Sequence, residues 1–147
     1  MRQLMRLGAV IALTSLMTRE LVAATVTWDG SCGGTEWGST CGGGQTNWDR
    51  GIPGLTDTVS IPMGAPIVQL KSSIGMANLM SVFSGLRIGN TTLQIGGGGG
   101  FISNLNMDGT FATIQFMTPG GELGLQGNCR WSVGTISGNG TVFNSGS

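Results

Sequence analysis

At 147 residues the chain is long enough for one domain with a real core and too short for two ordinary ones. Its 28 glycines, 10% charged residues and lack of His and Tyr suit turn-rich β structure and argue against long helices, which glycine weakens. The formal net charge is zero and no basic stripe with interleaved aromatics occurs, so the electrostatic footprint of nucleic-acid binding is missing and no such partner is expected.

The chain opens MRQLMRLGAVIALTSLMTRELVAATVTW, with Arg2 and Arg6 ahead of an apolar run at residues 7–17. That run is short for a bilayer span and suits the core of a signal peptide, whereas a membrane-anchored or buried N-terminal helix is the alternative. Val22, Ala23 and Ala24 supply the cleavage region, which assigns residues 1–24 to a signal peptide and the protein to the secreted or cell-surface class. Its removal leaves four basic and six acidic side chains, a net charge of −2. No second apolar run approaches the ~20 residues of a spanning helix, so no membrane span is expected after signal removal.

Residues 25–54, TVTWDGSCGGTEWGSTCGGGQTNWDRGIPG, form a Trp/Gly-rich N-terminal cap region in which Trp28, Trp37 and Trp48 punctuate small residues. An indole that buries a large apolar area pins a loop that has little else to order it. The functional alternative makes Trp28, Trp37 and Trp48 exposed platforms that stack on sugar rings. Cys32 and Cys41 can close the loop CGGTEWGSTC as a disulfide in an oxidising compartment, which leaves Cys129 either buried as a small hydrophobe or paired elsewhere. Three scattered thiols without His or a Cys-x-x-Cys pair are a poor zinc set, so no metal and no cofactor is expected.

From Leu55 the pattern changes to short period-two runs separated by Gly, Asn, Asp or Pro. The apolar pairs are Val59/Ile61, Val68/Leu70, Leu86/Ile88, Leu93/Ile95, Leu105/Met107, Ile114/Phe116 and Leu123/Leu125, followed by Trp131/Val133 and Val142. Spacing of about eight to twelve residues fits a β-sandwich or a β-solenoid equally. The recurring x-Leu-x-Ile/Leu/Met unit followed by a turn residue favours the solenoid, with a rung of ~20–25 residues and about four rungs over residues 55–147. Met76, Leu79, Met80, Phe83 and Leu86 also fit helical spacing, so a short helix covering an open end is an alternative to a strand pair there. The five glycines at 96–100 lack the Lys and following helix of a phosphate loop and read as a flexible turn.

Two stretches carry a resemblance. TVTWDG…EWG…TNWDRGIPGLTDTVSIP and CRWSVGTISGNGTVFNSGS resemble the Trp-Asp-Gly opening and the Gly-Thr-Ile-Ser-Gly rungs of a bacterial-type secreted β-helix family known from giant surface proteins and adhesins. DTVSIPMGAPIVQL is also similar to the start of the extracellular β module named for its eight glycines. The expected fold is therefore all-β, a right-handed parallel β-solenoid (β-helix) with a capped N-terminus, and a β-sandwich is the alternative. The chain departs from the family in its few rungs, its three cysteines and its stop inside a repeating unit, which makes residues 55–147 a truncated solenoid segment.

Some β-helices cleave polysaccharides, and glycosidic chemistry needs a pair of carboxylates at fixed separation. The acids beyond the signal are Asp29, Glu36, Asp49, Asp57, Asp108 and Glu122, with no adjacent or Asp-x-Asp pair. Asp108 and Glu122 can meet across a rung, although solvated turn roles explain them more simply. Without histidine there is no Ser-His or Cys-His machinery. No catalytic residue is assigned, and the expectation is a non-enzymatic exported structural or adhesive surface protein or an N-terminal fragment of one. The alternatives are a carbohydrate-binding module and a polysaccharide lyase or hydrolase fragment. Surface glycans or other solenoid chains are the expected partners, and Asn90-Thr-Thr and Asn139-Gly-Thr match the glycosylation acceptor pattern.

Overall fold

A computed structural model describes residues 23–145. The expected signal peptide, residues 1–24, lies outside them except for Ala23 and Ala24. In chain order the strands are β1 (Thr25–Thr27), β2 (Thr58–Ile61), β3 (Val68–Leu70), β4 (Gly75–Val82), β5 (Leu86–Ile88) and β6 (Thr92–Ile102). They continue as β7 (Leu105–Met107), β8 (Thr113–Phe116), β9 (Glu122–Leu125), β10 (Arg130–Trp131), β11 (Thr135–Ser137) and β12 (Thr141–Asn144). Among the described residues the one helical segment is a single 3-10 turn, Gly42–Gly44.

The strands pair in parallel throughout. One sheet runs β1-β2-β4-β6-β8-β11, with β9 and then β12 joined through β6, and the other runs β10-β7-β5-β3. From β2 onward, paired residues are between 18 (Val68↔Leu86) and 24 (Met107↔Trp131) positions apart in sequence. A strand that meets its own next turn in parallel register is a coil, whereas a sandwich of antiparallel hairpins would pair near neighbours. The fold is a parallel β-solenoid of about four turns.

The core follows from period two. In the runs from β2 to β8 the two apolar residues face inward and are buried, as with Val59/Ile61, Val68/Leu70, Leu86/Ile88, Leu93/Ile95 and Ile114/Phe116. Register stacks them into columns such as Gly75, Leu93, Ile114, Ile136 and Leu70, Ile88, Met107, Trp131. Each fully buried Leu or Ile contributes about 1.5–3 kcal/mol of transfer free energy. No turn buries its own face alone, so stacking is what stabilises the fold.

Two points of the sequence reading are settled. Residues 76–86 lie in the strand pair β4 and β5 and the bend between them, not in the alternative helix. Inside β4 the register shifts between Ala77 and Leu79, so the inward residues are Gly75, Ala77, Met80 and Val82. That extra step moves the alternation by one position and produces the three-residue spacing that imitates a helix face. The five glycines are likewise not a loose turn but the middle of β6. Between the pairs Ala77↔Ile95 and Leu79↔Gly99, β4 spends one residue and β6 three, so β6 turns the corner with extra chain packed between two neighbouring turns. Gly99 and Gly100 have φ of 69° and 124°, and a Cβ would overlap the Glu122 backbone at Gly99 and the Met80 backbone at Gly100. Only glycine passes there.

Candidate interaction surfaces

The cap is built around the three tryptophans of residues 25–54. The Trp48 ring lies edge-on to Trp28 (centroids 5.0 Å) and to Trp37 (4.6 Å), and its Nε1 donates to the Trp37 carbonyl at 2.8 Å. All three indoles are at most 3% exposed. The alternative in which Trp28, Trp37 and Trp48 stack on sugars therefore has no ring face to act through, because the rings pack on one another and on the core. Their packing is that of the first reading, fastening a glycine-rich loop.

Short polar contacts hold the loop down. Asn47 is fully buried and its Oδ1 accepts from the Cys32 backbone N–H at 2.9 Å. The Cys32–Cys41 disulfide is present, with Cα atoms 5.6 Å apart. Asp49 Oδ1 accepts from the Thr27 N–H at 2.8 Å, and Asp57 accepts from Gly54 and Ala24. The cap covers the first edge of both sheets: β1 pairs with β2, and Thr35 and Trp37 exchange backbone bonds with Gln69 of β3 at 2.7 and 2.8 Å.

At the other end of the described coil, β10, β11 and β12 each have a strand neighbour on one side only. Inward positions that are closed elsewhere open here: Trp131 is 53% exposed although its column partner Met107 is fully buried. Cys129 lies beside this end as an exposed free thiol, its Sγ donating to the Gln126 carbonyl at 3.1 Å, so it is not a buried core cysteine.

Outward residues form ladders. On the larger sheet, Thr92, Thr113 and Thr135 share one column and Gln94, Gln115 and Ser137 the next, with Gln94 Nε2 donating to Gln115 Oε1 at 3.2 Å. On the smaller sheet, Gln69, Arg87, Asn106 and Arg130 stand in one column. Arg87 forms an ion pair with Asp108, Nη2 to Oδ2 at 2.7 Å and Nε to Oδ2 at 2.9 Å. That hydrogen bond, and then the carboxylate charge, raise the guanidinium pKa above its ordinary value.

The acids do not gather. Asp29 accepts from the Ser31 N–H two residues on, Glu36 holds the backbone of Lys71 and Ser72, and Asp49 and Asp57 staple the cap. Asp108 is on the smaller sheet's side with Arg87, while Glu122 opens β9 in register with Thr141 of the larger sheet, so the suggested meeting of Asp108 and Glu122 does not occur. Among the described residues no group of three or more His, Cys, Asp or Glu is placed to hold a metal ion, and no helix is long and apolar enough to cross a membrane. The acceptor asparagines Asn90 and Asn139 are both exposed.

The sequence reading passed over Lys71, Arg87 and Arg130, which are isolated in the chain and aligned only by the coil. Their one sequence signal is that Arg87 and Arg130 fall beside inward apolar residues in LRI and CRW. Fold and surfaces together define a parallel β-solenoid with one end closed by a disulfide-bonded tryptophan cap. No protein family, curated protein or solved structure matches the chain.

Proposed function

We propose that the chain is an exported, non-enzymatic structural or adhesive solenoid, of the surface-protein kind its opening and closing stretches resemble. The observation that carries this reading is the pair of outward ladders, Thr92, Thr113, Thr135 and Gln94, Gln115, Ser137, repeated in register on stacked turns. Strand spacing of about 4.8 Å turns them into a stiff polar face whose chemistry is hydrogen bonding to an extended surface. The scattered acids, five of the six engaged locally in the cap or with Arg87 and Glu122 apart from them at the start of β9, support display rather than bond cleavage.

Exposing the full chain to a panel of soluble and insoluble polysaccharides tests the reading, with retention and the release of new chain ends measured in the same samples. Retention without shortening of the polysaccharide is expected; release of oligosaccharides would overturn the non-enzymatic part. Export is checked by sequencing the ends of the naturally released polypeptide. A start at Thr25 is expected, and a retained apolar run at residues 7–17 would contradict it.

A further inference from the structure

Beyond residue 24 the chain has four cations, Arg50, Lys71, Arg87 and Arg130, against six acids. Three of the four stand on the smaller sheet. Arg87 and Arg130 occupy one outward column, separated by Asn106, and Lys71 follows β3 directly. Two acids border this face and both are engaged within the protein: Asp108 with Arg87, and Glu36 with the backbone N–H groups of Lys71 and Ser72 and the Ser72 hydroxyl. Lys71 and Arg130 take part in no ion pair among the described residues. The segment beyond residue 24, of net charge −2, thus carries one face on which three of its four cations stand, two of them, Lys71 and Arg130, outside any ion pair among the described residues.

The same face holds two shallow clefts. One, about 360 Å³, is bordered by Lys71, Arg87, Gly89, Asn90 and Asp108. The other, about 320 Å³, has a mostly apolar floor of Ile67, Leu86 and Leu105, with Asn106, Asn128 and Arg130 at its rim. Arg87 and Arg130 are two strand spacings apart, roughly 9–10 Å. Between them Asn106 is half-buried, and its Oδ1 is itself buried without a hydrogen-bond partner, so a hydroxyl donor reaches it only if the amide rotates to bring that oxygen to the surface.

We propose that this face binds an anionic polysaccharide lying across the turns, its carboxylate or sulfate groups meeting Lys71, Arg87 and Arg130 and its hydroxyls meeting the amides between them. Charges this far apart, alternating with amide groups, suit a chain that carries an anion on some sugars and hydroxyls on all. A nucleic acid carries a charge at every nucleotide and is held by a denser basic groove with stacking aromatics. The inference rests on the adhesive reading above and names the ligand class for it.

Isothermal titration of the full chain with polygalacturonate, dextran sulfate and neutral dextran tests it. Binding to one or both polyanions is expected, weakening as salt rises and absent with the neutral polymer. The paired change Lys71→Gln and Arg87→Gln lowers affinity at least tenfold, Arg130→Gln lowers it several-fold, and Arg50→Gln in the cap leaves it unchanged; circular dichroism verifies each fold. Preference for polygalacturonate or for dextran sulfate assigns the anion as carboxylate or sulfate. Equal loss with Arg50→Gln, or tighter binding to duplex DNA or anionic vesicles, overturns the proposal. Binding to neutral polymers alone overturns it while sparing the adhesive reading, and no binding to any polysaccharide removes the support of both.

Discussion

Gly100 and Trp48 show how far a residue's meaning depends on what the coil stacks against it. In sequence Gly100 is the last of five identical residues; in the fold it sits in β6 against the backbone of Met80, with φ of 124°. Gly100→Ala should cost roughly 2–4 kcal/mol, since it combines backbone strain with a clash against main chain that has no room to move. Gly42→Ala, where a Cβ meets nothing within 4 Å, should stay within about 0.5 kcal/mol. Urea titration of the two variants decides the matter. Trp48→Ala removes the ring at the centre of the cap and should cost about 3–5 kcal/mol in the same assay. The inward pairs were legible as alternation because side chains point to opposite faces at every step. The glycine corner was not, because it is fixed by turns remote in sequence that composition does not encode.

At the scale of the element, the cap is a loop made rigid by few contacts, and the Cys32–Cys41 bond closes ten residues of it. The chain-entropy account gives such a closure about 2–3 kcal/mol, so Cys32→Ser with Cys41→Ser should lower stability by that amount. The loss should appear first as increased solvent exposure of the Trp28, Trp37 and Trp48 fluorescence, before the β signal falls. The short runs of β2, β3, β5, β7, β8 and β9 were readable to within a residue or two, whereas β1, β11 and the glycine half of β6 were not, and the strand pair read at 76–86 kept a helix as its alternative. One additional residue at Asn78 shifts the phase of β4, and a bulge is set by the neighbouring strand rather than by the residues that contain it. Spacing alone serves a sandwich and a coil alike; the recurring x-Leu-x-Ile/Leu/Met unit favours a solenoid whose strands pair with the next turn, as they do.

The two ends of the described coil are unlike. The cap covers the first edge of both sheets, whereas among the described residues β10, β11 and β12 have inward apolar residues that are partly exposed, with Arg130 the one charge beside them. Edges of this kind are places where a further strand, of this chain or another, can pair. Ile114 and Ile136 share a column, the first fully buried and the second only partly. Ile114→Ala should therefore cost about 2–5 kcal/mol and Ile136→Ala less than half of that, as measured by denaturant midpoint. The cationic face belongs to this scale too. Lys71, Arg87 and Arg130 have no local pattern, and only the pitch of the coil brings them together.

Amide hydrogen exchange of residues 25–147, resolved strand by strand, tests the capped solenoid most directly. The account predicts the slowest exchange in β4, β6 and β8, continued protection in β2 beneath the cap, and a steady decline through β11 to the fastest exchange in β10 and β12. Protection of β10 and β12 equal to that of β6, or exchange in β2 as fast as in β12, would contradict it.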